Sequence, residues 1–233
     1  MRLKIDVTDT GVTVQHDGPN GDVVIKAVDP VELARAFAGE VVMDTGWLGP
    51  RIHRYMQVGG VTRILVESPP AKRTIKFDDE RRVRNTVQEF KNVACPRCVF
   101  NFGIRQGQLE SSRVCVVNEL VPPGMEWIPT DHTPVARFPF PNVYADTRIC
   151  WGQSQIPTFD LQTVGGLVNL FWASPFNHDL DMNQLPPEWR GHSTPRGKLL
   201  FEALAKEPVY PMDLMSRLST LGQWWRGEVT NRW

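Results

Sequence analysis

The stretch of sequence that decides the fold is residues 138–152, FPFPNVYADTRICWG. Prolines near its start prevent it from forming a regular helix or a central strand. Asn142 follows the second proline, and its side-chain amide can tie an irregular loop to itself or donate to a group outside the loop. An Ala-Asp-Thr turn comes next. We expect the large apolar residues Ile149 and Trp151 to point inward, which leaves Cys150 between them facing outward.

A thiol held in a loop beside an amide donor suits acyl transfer. The thiolate of Cys150 can carry an acyl group as a thioester, and the amide of Asn142 can stabilise the oxyanion of the tetrahedral intermediate. A lone cysteine in an apolar run is also common as a small buried hydrophobic residue. The spacing alone leaves both interpretations of Cys150 open.

The same run resembles the active-site segment of ubiquitin-conjugating enzymes. Those enzymes have His-Pro-Asn, a short turn around Asp-Gly-Arg, and then Ile-Cys-Leu, with the catalytic Cys eight residues after the Asn. Asn142 and Cys150 keep that spacing. The other matching residues are Pro141, Tyr144, Asp146, Arg148 and Ile149. The resemblance covers about residues 95–185 and implies a UBC-like fold, an antiparallel meander with flanking helices.

Some residues depart from that motif. Phe140 stands where the motif has His, and Thr147 stands where it has Gly. The usual N-terminal helix has no counterpart, and strand-rich sequence takes its place. With these departures, the sequence is similar to the prokaryotic conjugating-enzyme-like family D and PRTRC system protein B. Those proteins keep an Asn-Val-x-x-Asp-x-Arg-Val-Cys-x-Gly run and a Phe-x-His loop. The residues that fit are Asn142, Val143, Asp146, Arg148, Cys150, Gly152 and His178.

The resemblance implies a bacterial ubiquitin-like conjugating enzyme that needs no cofactor. Cys150 would accept the C-terminal glycyl carboxyl of a ubiquitin-like protein from a ThiF-type activating enzyme and pass it to an acceptor protein. Asn142 would stabilise the oxyanion or brace the loop. His178 or Asp179 would orient or deprotonate the incoming nucleophile, since an imidazole titrates near neutral pH. His178 has a second interpretation, as a partner for the carbonyl groups at a helix end.

The regions on either side of this motif predict an α+β fold with a domain boundary at about residue 90. Residues 1–90 alternate with period two between Gly, Asn and Asp turns, which predicts a β-rich region with one short helix, Val31 to Ala38. Residues 91–233 would form the conjugating core, with strands first and helices last. The predicted strands are 3–7, 12–14, 23–25, 62–67, 73–77, 99–104, 113–117 and an edge strand at 135–138, and the predicted helices are 161–171, 194–206 and 212–225. The charge-dense segment 78–91 predicts a solvated turn or a short helix.

Composition excludes several classes of function. The chain has 26 basic and 26 acidic residues, whereas proteins that bind nucleic acid through phosphate contacts usually have a basic excess. Eight Trp and eleven Phe in 233 residues are typical of a packed core and not of a disordered chain. The longest apolar runs fall far short of the ~20 residues of a membrane-spanning helix. The N-terminus has acidic residues where a signal peptide is apolar, so we expect a cytoplasmic protein.

The other three cysteines leave several interpretations open. In a reducing cytoplasm they do not indicate a disulfide framework. Cys95 and Cys98 form a C-x-x-C pair that suits a structural zinc site, dithiol chemistry or a simple turn entering a strand. We predict no metal because no second ligand pair follows, and Cys115 falls in an apolar strand. Two other functions stay open, a catalytically silent scaffold of the same fold and a zinc-supported interaction protein.

Overall fold

A computed structural model describes most of the chain. The described residues are 3–8, 11–17, 23–31, 43–47, 51–78, 87–119, 121, 125–152, 154–158, 163–177, 180 and 196–228. They form two compact units, one of Met1–Met43 with Gln57–Gly60 and the other of Asp44–Met56 with Val61–Trp233. The predicted boundary at about residue 90 falls within a strand of the second unit, and a division of function at that point stays a prediction.

The first unit contains a three-stranded antiparallel sheet in the order β1-β2-β3. Its strands are β1 (Leu3–Thr8), β2 (Gly11–Asp17) and β3 (Val23–Val28). The N-terminal meander that the period-two pattern predicts is therefore confirmed. Most of the predicted helix from Val31 to Ala38 lies outside the described residues.

The second unit contains a seven-stranded sheet in the order β12-β11-β10-β9-β6-β5-β4 and a separate β7-β8 pair. The strands are β4 (Met43–Trp47), β5 (Ile52–Val58), β6 (Val61–Ser68), β7 (Ala71–Asp78), β8 (Val87–Cys95), β9 (Cys98–Arg105), β10 (Gln108–Val117), β11 (Pro134–Ala136) and β12 (Arg217–Thr220). The helices are α1 (Gly165–Ala173), α2 (Arg196–Leu204), a 3-10 turn (Met212–Leu214) and α3 (Leu221–Arg226). The α+β class is confirmed.

The third predicted helix, over residues 212–225, is wrong. The chain there forms the 3-10 turn, β12 and α3 in succession. The Oγ1 of Thr220 accepts a hydrogen bond from the backbone N–H of Gln223 at 3.4 Å, and the Gln223 side chain accepts one from the Thr220 N–H at 3.3 Å. This reciprocal cap fixes the start of α3. The residues before the cap pair with β11 instead of continuing a helix.

Two other expectations need correction. The strand near residue 135 is not at the sheet edge, because β11 pairs with β10 on one side and with β12 on the other. The sequence predicts a solvated turn or a short helix for the charge-dense segment 78–91, but both of its ends are strands. Asp78 ends β7, and residues 87–91 begin β8. Residues 79–86 lie outside the described part. β8 can carry charged side chains because Glu89 and Lys91 are exposed to solvent.

The large sheet is apolar on both faces, and the two faces pack against different elements. Side chains such as Phe100 and Val114 join one core cluster together with α1 and α2. Alternate residues such as Val99 and Cys115 join a second cluster with the tryptophans of α3. This alternation follows from the period of two along a strand. As predicted, Cys115 is a buried strand residue.

Phe140 lies at the centre of an aromatic cluster on the first face. Only 2% of its surface is exposed. Its ring centroid lies 5.4 Å from that of Phe201, 5.3 Å from that of Phe138 and 6.1 Å from that of Trp172. A residue at this position therefore contributes apolar surface, and the segment that leads to Asn142 is anchored by it.

We predict that Phe140→His destabilises the protein by about 2–4 kcal/mol, because an imidazole would lose ring contacts and bury polar nitrogens among aromatic side chains. Phe140→Leu keeps the site apolar and should cost less. Urea denaturation followed by circular dichroism measures both. Equal stability of the His variant and the parent would contradict this account of the cluster.

Candidate active site

Residues 142–150 form a tight hairpin that places Asn142 opposite Cys150. The backbone N–H of Cys150 donates to the carbonyl of Asn142 at 2.7 Å, and the N–H of Tyr144 donates to the carbonyl of Arg148 at 2.8 Å. An isolated bridge joins Val143 to Ile149 between these two pairs. The predicted turn occupies the tip.

The tip of the hairpin requires a left-handed residue, and Thr147 supplies it. Its φ is +72°, and its N–H donates to the carbonyl of Tyr144 at 2.8 Å. A three-residue loop of this kind combines a type I turn with a bulge residue in the left-handed region. Glycine is favoured there because it has no Cβ. The side chain of Asp146 supports the turn by accepting from the Arg148 N–H at 3.2 Å.

The second half of the hairpin lies along β10. The N–H of Val114 donates to the carbonyl of Thr147 and the N–H of Ile149 donates to the carbonyl of Ser112, each at 3.0 Å. Ile149 is 6% exposed and belongs to the first core cluster. The indole N–H of Trp151 donates to the Oγ of Ser112 at 2.9 Å. The inward orientation expected of Ile149 is confirmed, Trp151 is partly buried against the same cluster, and Cys150 between them is also partly exposed.

Asn142 connects the hairpin to the loop that follows α1. Its φ is +66°, in the left-handed region that Asn tolerates better than most residues. The Nδ2 of Asn142 donates to the carbonyl of Pro175 at 2.8 Å, and its Oδ1 accepts from the N–H of Asn177 at 3.4 Å. These are bracing contacts. The Nδ2 group has two hydrogens, and the bond to Pro175 uses one of them. That the second hydrogen stabilises an oxyanion stays a prediction.

The structure does not describe two of the residues for which the sequence predicts a catalytic role. His178 and Asp179 lie outside the described residues, directly after Asn177. Their roles in orienting or deprotonating a nucleophile stay predictions. In the described part of the chain, Asn142 stands opposite Cys150. The side chain of Asn142 also contacts Asn177, the residue before His178.

Tyr144 is a further candidate that the motif comparison did not single out for a role. Its hydroxyl donates to the sulfur of Cys150 at 3.7 Å, and the guanidinium of Arg148 lies over its ring, 5.1 Å from the centroid. The hydrogen bond to Cys150 and the charge of its thiolate raise the pKa of Tyr144 above the ordinary value. The phenol therefore remains protonated and able to donate. A sequence argument could have found Tyr144 from the spacing. If residue 142 pairs with residue 150 in a hairpin, the side chain of residue 144 lies on the same face as the thiol of residue 150.

A pocket of about 320 Å³ lies beside this hairpin. Residues from the start of β10 form one wall, and residues of the hairpin form the other. Its lining includes Arg113, Tyr144, Arg148 and Trp151. The pocket therefore has aromatic groups, two cationic groups and one acidic group, Glu110, next to the segment that carries Cys150.

The other thiols are buried and have no comparable surroundings. Burial raises the pKa of Cys95 to about 12 and raises those of Cys98 and Cys115 well above the ordinary value, so all three are neutral near pH 7. Cys95 ends β8 and Cys98 begins β9, so the C-x-x-C pair spans a turn between two strands. Across the described residues, no group of three or more His, Cys, Asp or Glu side chains is placed to hold a metal ion.

Comparison with known protein families gives a match. The family described as prokaryotic E2 family D matches residues 31–214, which is more than half of the chain and includes the whole hairpin. Neither the curated proteins nor the solved structures give a match. In the part of the chain that the structure describes, no helix has the length and apolar character needed to cross a membrane.

We predict that Asn142→Ala lowers the free energy of unfolding by about 1–3 kcal/mol, because it removes two hydrogen bonds and places a Cβ-bearing residue without a local partner in the left-handed region. Asn142→Gly should lose less, because glycine adopts that conformation freely. Asn169→Ala, at an exposed position of α1, is the matched control and should stay within about 0.5 kcal/mol of the parent. Urea denaturation measures all three, and equal losses for Ala at 142 and 169 would contradict the bracing role.

Proposed function

The chain belongs to prokaryotic E2 family D, and on that basis we propose that it is an E2-type enzyme of ubiquitin-like conjugation that carries its cargo on Cys150. The observation that supports this most is the surroundings of Cys150. It is the partly exposed thiol among four, it stands opposite Asn142, and it accepts a hydrogen bond from Tyr144. A thiol that forms a thioester must be reachable by a second protein, and burial denies this to the other three.

In the first step, Cys150 receives a ubiquitin-like protein from a ThiF-type activating enzyme that has already used ATP to form its own thioester. The Cys150 thiolate attacks the carbonyl carbon of that thioester. The C–S bond to the activating enzyme breaks, the C–S bond to Cys150 forms, and the departing sulfur takes up the proton that Cys150 released. One thioester replaces another, so the bond energies nearly balance.

In the second step, an amine of the acceptor protein attacks the Cys150 thioester. An amide forms, the C–S bond breaks, and the proton from the amine ends on the sulfur of Cys150. His178 or Asp179 would take that proton in transit or orient the amine. Asn142 would donate to the oxyanion of the tetrahedral intermediate with the hydrogen that Pro175 does not use. Tyr144 would donate to the sulfur as it leaves.

The pocket beside the hairpin offers a place for the extended C-terminal tail of the ubiquitin-like protein. Such a tail presents backbone carbonyl groups, and Arg113 and Arg148 line the pocket with donors for them. A pocket of about 320 Å³ is at the lower end of the range for small ligands, which suits a narrow chain without large side chains.

We also propose that β6, β9, β10 and β11 are the four-stranded meander of the UBC-like fold, with the separate β7-β8 pair inserted between its first two strands. They are neighbours in the sheet and each adjacent pair is antiparallel. The hairpin with Cys150 and then α1 follow this set along the chain, as the resemblance implies. A nearer relationship to PRTRC system protein B and a cytoplasmic location, where ATP is available to the activating enzyme, belong to the same proposal.

The test is a charging reaction with the ThiF-type activating enzyme and the ubiquitin-like protein encoded nearest to the gene. We expect an ATP-dependent adduct on a non-reducing gel that dithiothreitol removes. Cys150→Ala should abolish it, and Cys150→Ser should give an oxyester that resists dithiothreitol. Cys115→Ala, which changes a buried thiol, is the control that should keep the adduct. No adduct where the activating enzyme itself is charged would reject the enzyme and leave the silent scaffold.

A second prediction separates the two roles of Asn142. If its amide acts on the oxyanion of the transfer step, Asn142→Ala should slow single-turnover discharge to an amine by about 10²-fold while charging falls much less. Discharge of the purified Cys150 thioester to free lysine, followed on a gel over time, measures the first rate. A proportional fall in both rates would assign Asn142 to bracing alone.

A further inference from the structure

We propose that Trp224 is a positioning residue for Cys150, because its indole N–H holds Thr147 in the left-handed conformation that sets the register of the Cys150 hairpin. Trp224 lies in α3, beyond the residues that match the family. This inference rests on the proposed function of Cys150 and adds a residue that positions its thiol. Its first readouts need only the thiol of Cys150 and no conjugation partner.

Thr147 is a residue in an unfavourable conformation. A β-branched side chain with φ of +72° is a genuine outlier, since its Cβ crowds the backbone. Two backbone hydrogen bonds require that conformation: the N–H of Thr147 donates to Tyr144 within the turn, and its carbonyl accepts from Val114 of β10. The turn and the docking of the hairpin on β10 therefore both depend on a conformation that Thr resists.

The hydrogen bond from Trp224 compensates for this. Its Nε1 donates to the Oγ1 of Thr147 at 2.9 Å. Thr147 is 2% exposed and Trp224 is 0% exposed, so water cannot replace either partner. Breaking the bond would leave two buried polar groups unsatisfied. The hydroxyl that Thr adds at this glycine-favouring position is therefore the group that Trp224 binds.

Trp224 is itself held firmly. The capping box of Thr220 and Gln223 fixes the start of α3, and the N–H of Leu221 donates to the carbonyl of Thr133 at 2.8 Å. Gly227 ends the helix with φ of +79°, and its N–H donates to the carbonyl of Trp224 at 3.1 Å. The indole also packs in the second core cluster. A fixed donor of this kind can impose a conformation on its acceptor.

The effect reaches Cys150 through the register of the hairpin. A left-handed residue at 147 creates the bulge that lets 142 face 150. If Thr147 relaxed to extended backbone, the bulge would be lost and the pairing would shift by one residue, which turns side chains to the opposite side of a strand. Cys150 would then lose its position beside the hydroxyl of Tyr144.

The experiment compares two neighbouring tryptophans. Trp224→Phe removes the donor, whereas Trp225→Phe makes the same change at a residue that is equally buried and stacks on Arg63. The readouts are the rate of Cys150 alkylation by iodoacetamide, from peptide mass spectrometry, and the exchange rates of the Cys150 and Val114 amides, from NMR. We expect Trp224→Phe to speed amide exchange on the order of tenfold, as the loss of one buried hydrogen bond implies, and to slow alkylation severalfold, because the Cys150 thiolate loses the hydrogen bond from Tyr144. Trp225→Phe should leave both rates near the parent values.

Rescue distinguishes positioning from general support. Glycine at 147 is left-handed without help, so in a Thr147→Gly background Trp224→Phe should have no further effect on either rate. Thr147→Ser keeps the acceptor and should match the parent. Thr147→Val removes the acceptor at constant shape and should match Trp224→Phe, so the pair tests the bond even if Trp224→Phe fails to fold.

Equal effects of the two Phe variants, or of Val and Ser at 147, would overturn the proposal, and so would a Trp224→Phe effect that persists with glycine at 147. Because iodoacetamide and solvent exchange probe the hairpin directly, a protein that fails to form a thioester could still pass this test. Failure of this inference and failure of the proposed function are therefore separate results. Where the thioester does form, the rate of charging should follow the alkylation rate across these variants.

Discussion

The arrangement around Cys150 depends on two residues with left-handed backbone, Asn142 and Thr147. The first turns the chain so that its amide reaches the loop after α1, and the second creates the bulge at the hairpin tip. With both in place, the hairpin closes, its second half pairs with β10, and Ile149 enters the core.

Sequence reasoning succeeded where the signal is local. Period-two alternation found the three N-terminal strands, the apolar runs found four of the seven strands of the large sheet but not β4 or β5, and the pattern around residue 150 correctly placed Ile149 inward. It failed where a distant partner decides the structure. The four residues of β12 are too few to show a period, and they form a strand because β11 offers an edge. The clamp from Asn142 to Pro175 joins residues 33 apart and has no local signature. The capping box of Thr220 was a local signal that could have shortened the third helix.

The aromatic cluster explains why the segment before Asn142 departs from the motif that it resembles. A histidine needs polar partners, whereas the surroundings of Phe140 are rings from Phe138, Trp172 and Phe201. The apolar residue therefore fits its surroundings, and the support that the hairpin receives on this side is packing. On the other side of the sheet, support comes from the tryptophans of α3, one of which combines packing with a directed hydrogen bond. The two faces thus hold one short hairpin by different physical means.

The bond between Trp224 and Thr147 has a consequence for how such a chain can change over generations. Exchange of Thr147 for glycine first relieves the backbone strain and leaves one unsatisfied group, the buried indole N–H of Trp224, which a later exchange of Trp224 for an apolar residue removes. Exchange of Trp224 first leaves a strained residue and an unsatisfied hydroxyl. The same two substitutions therefore pass through a less costly intermediate when glycine comes first, because only the other order adds backbone strain to an unsatisfied polar group, so two sites 77 residues apart are coupled in their mutational history.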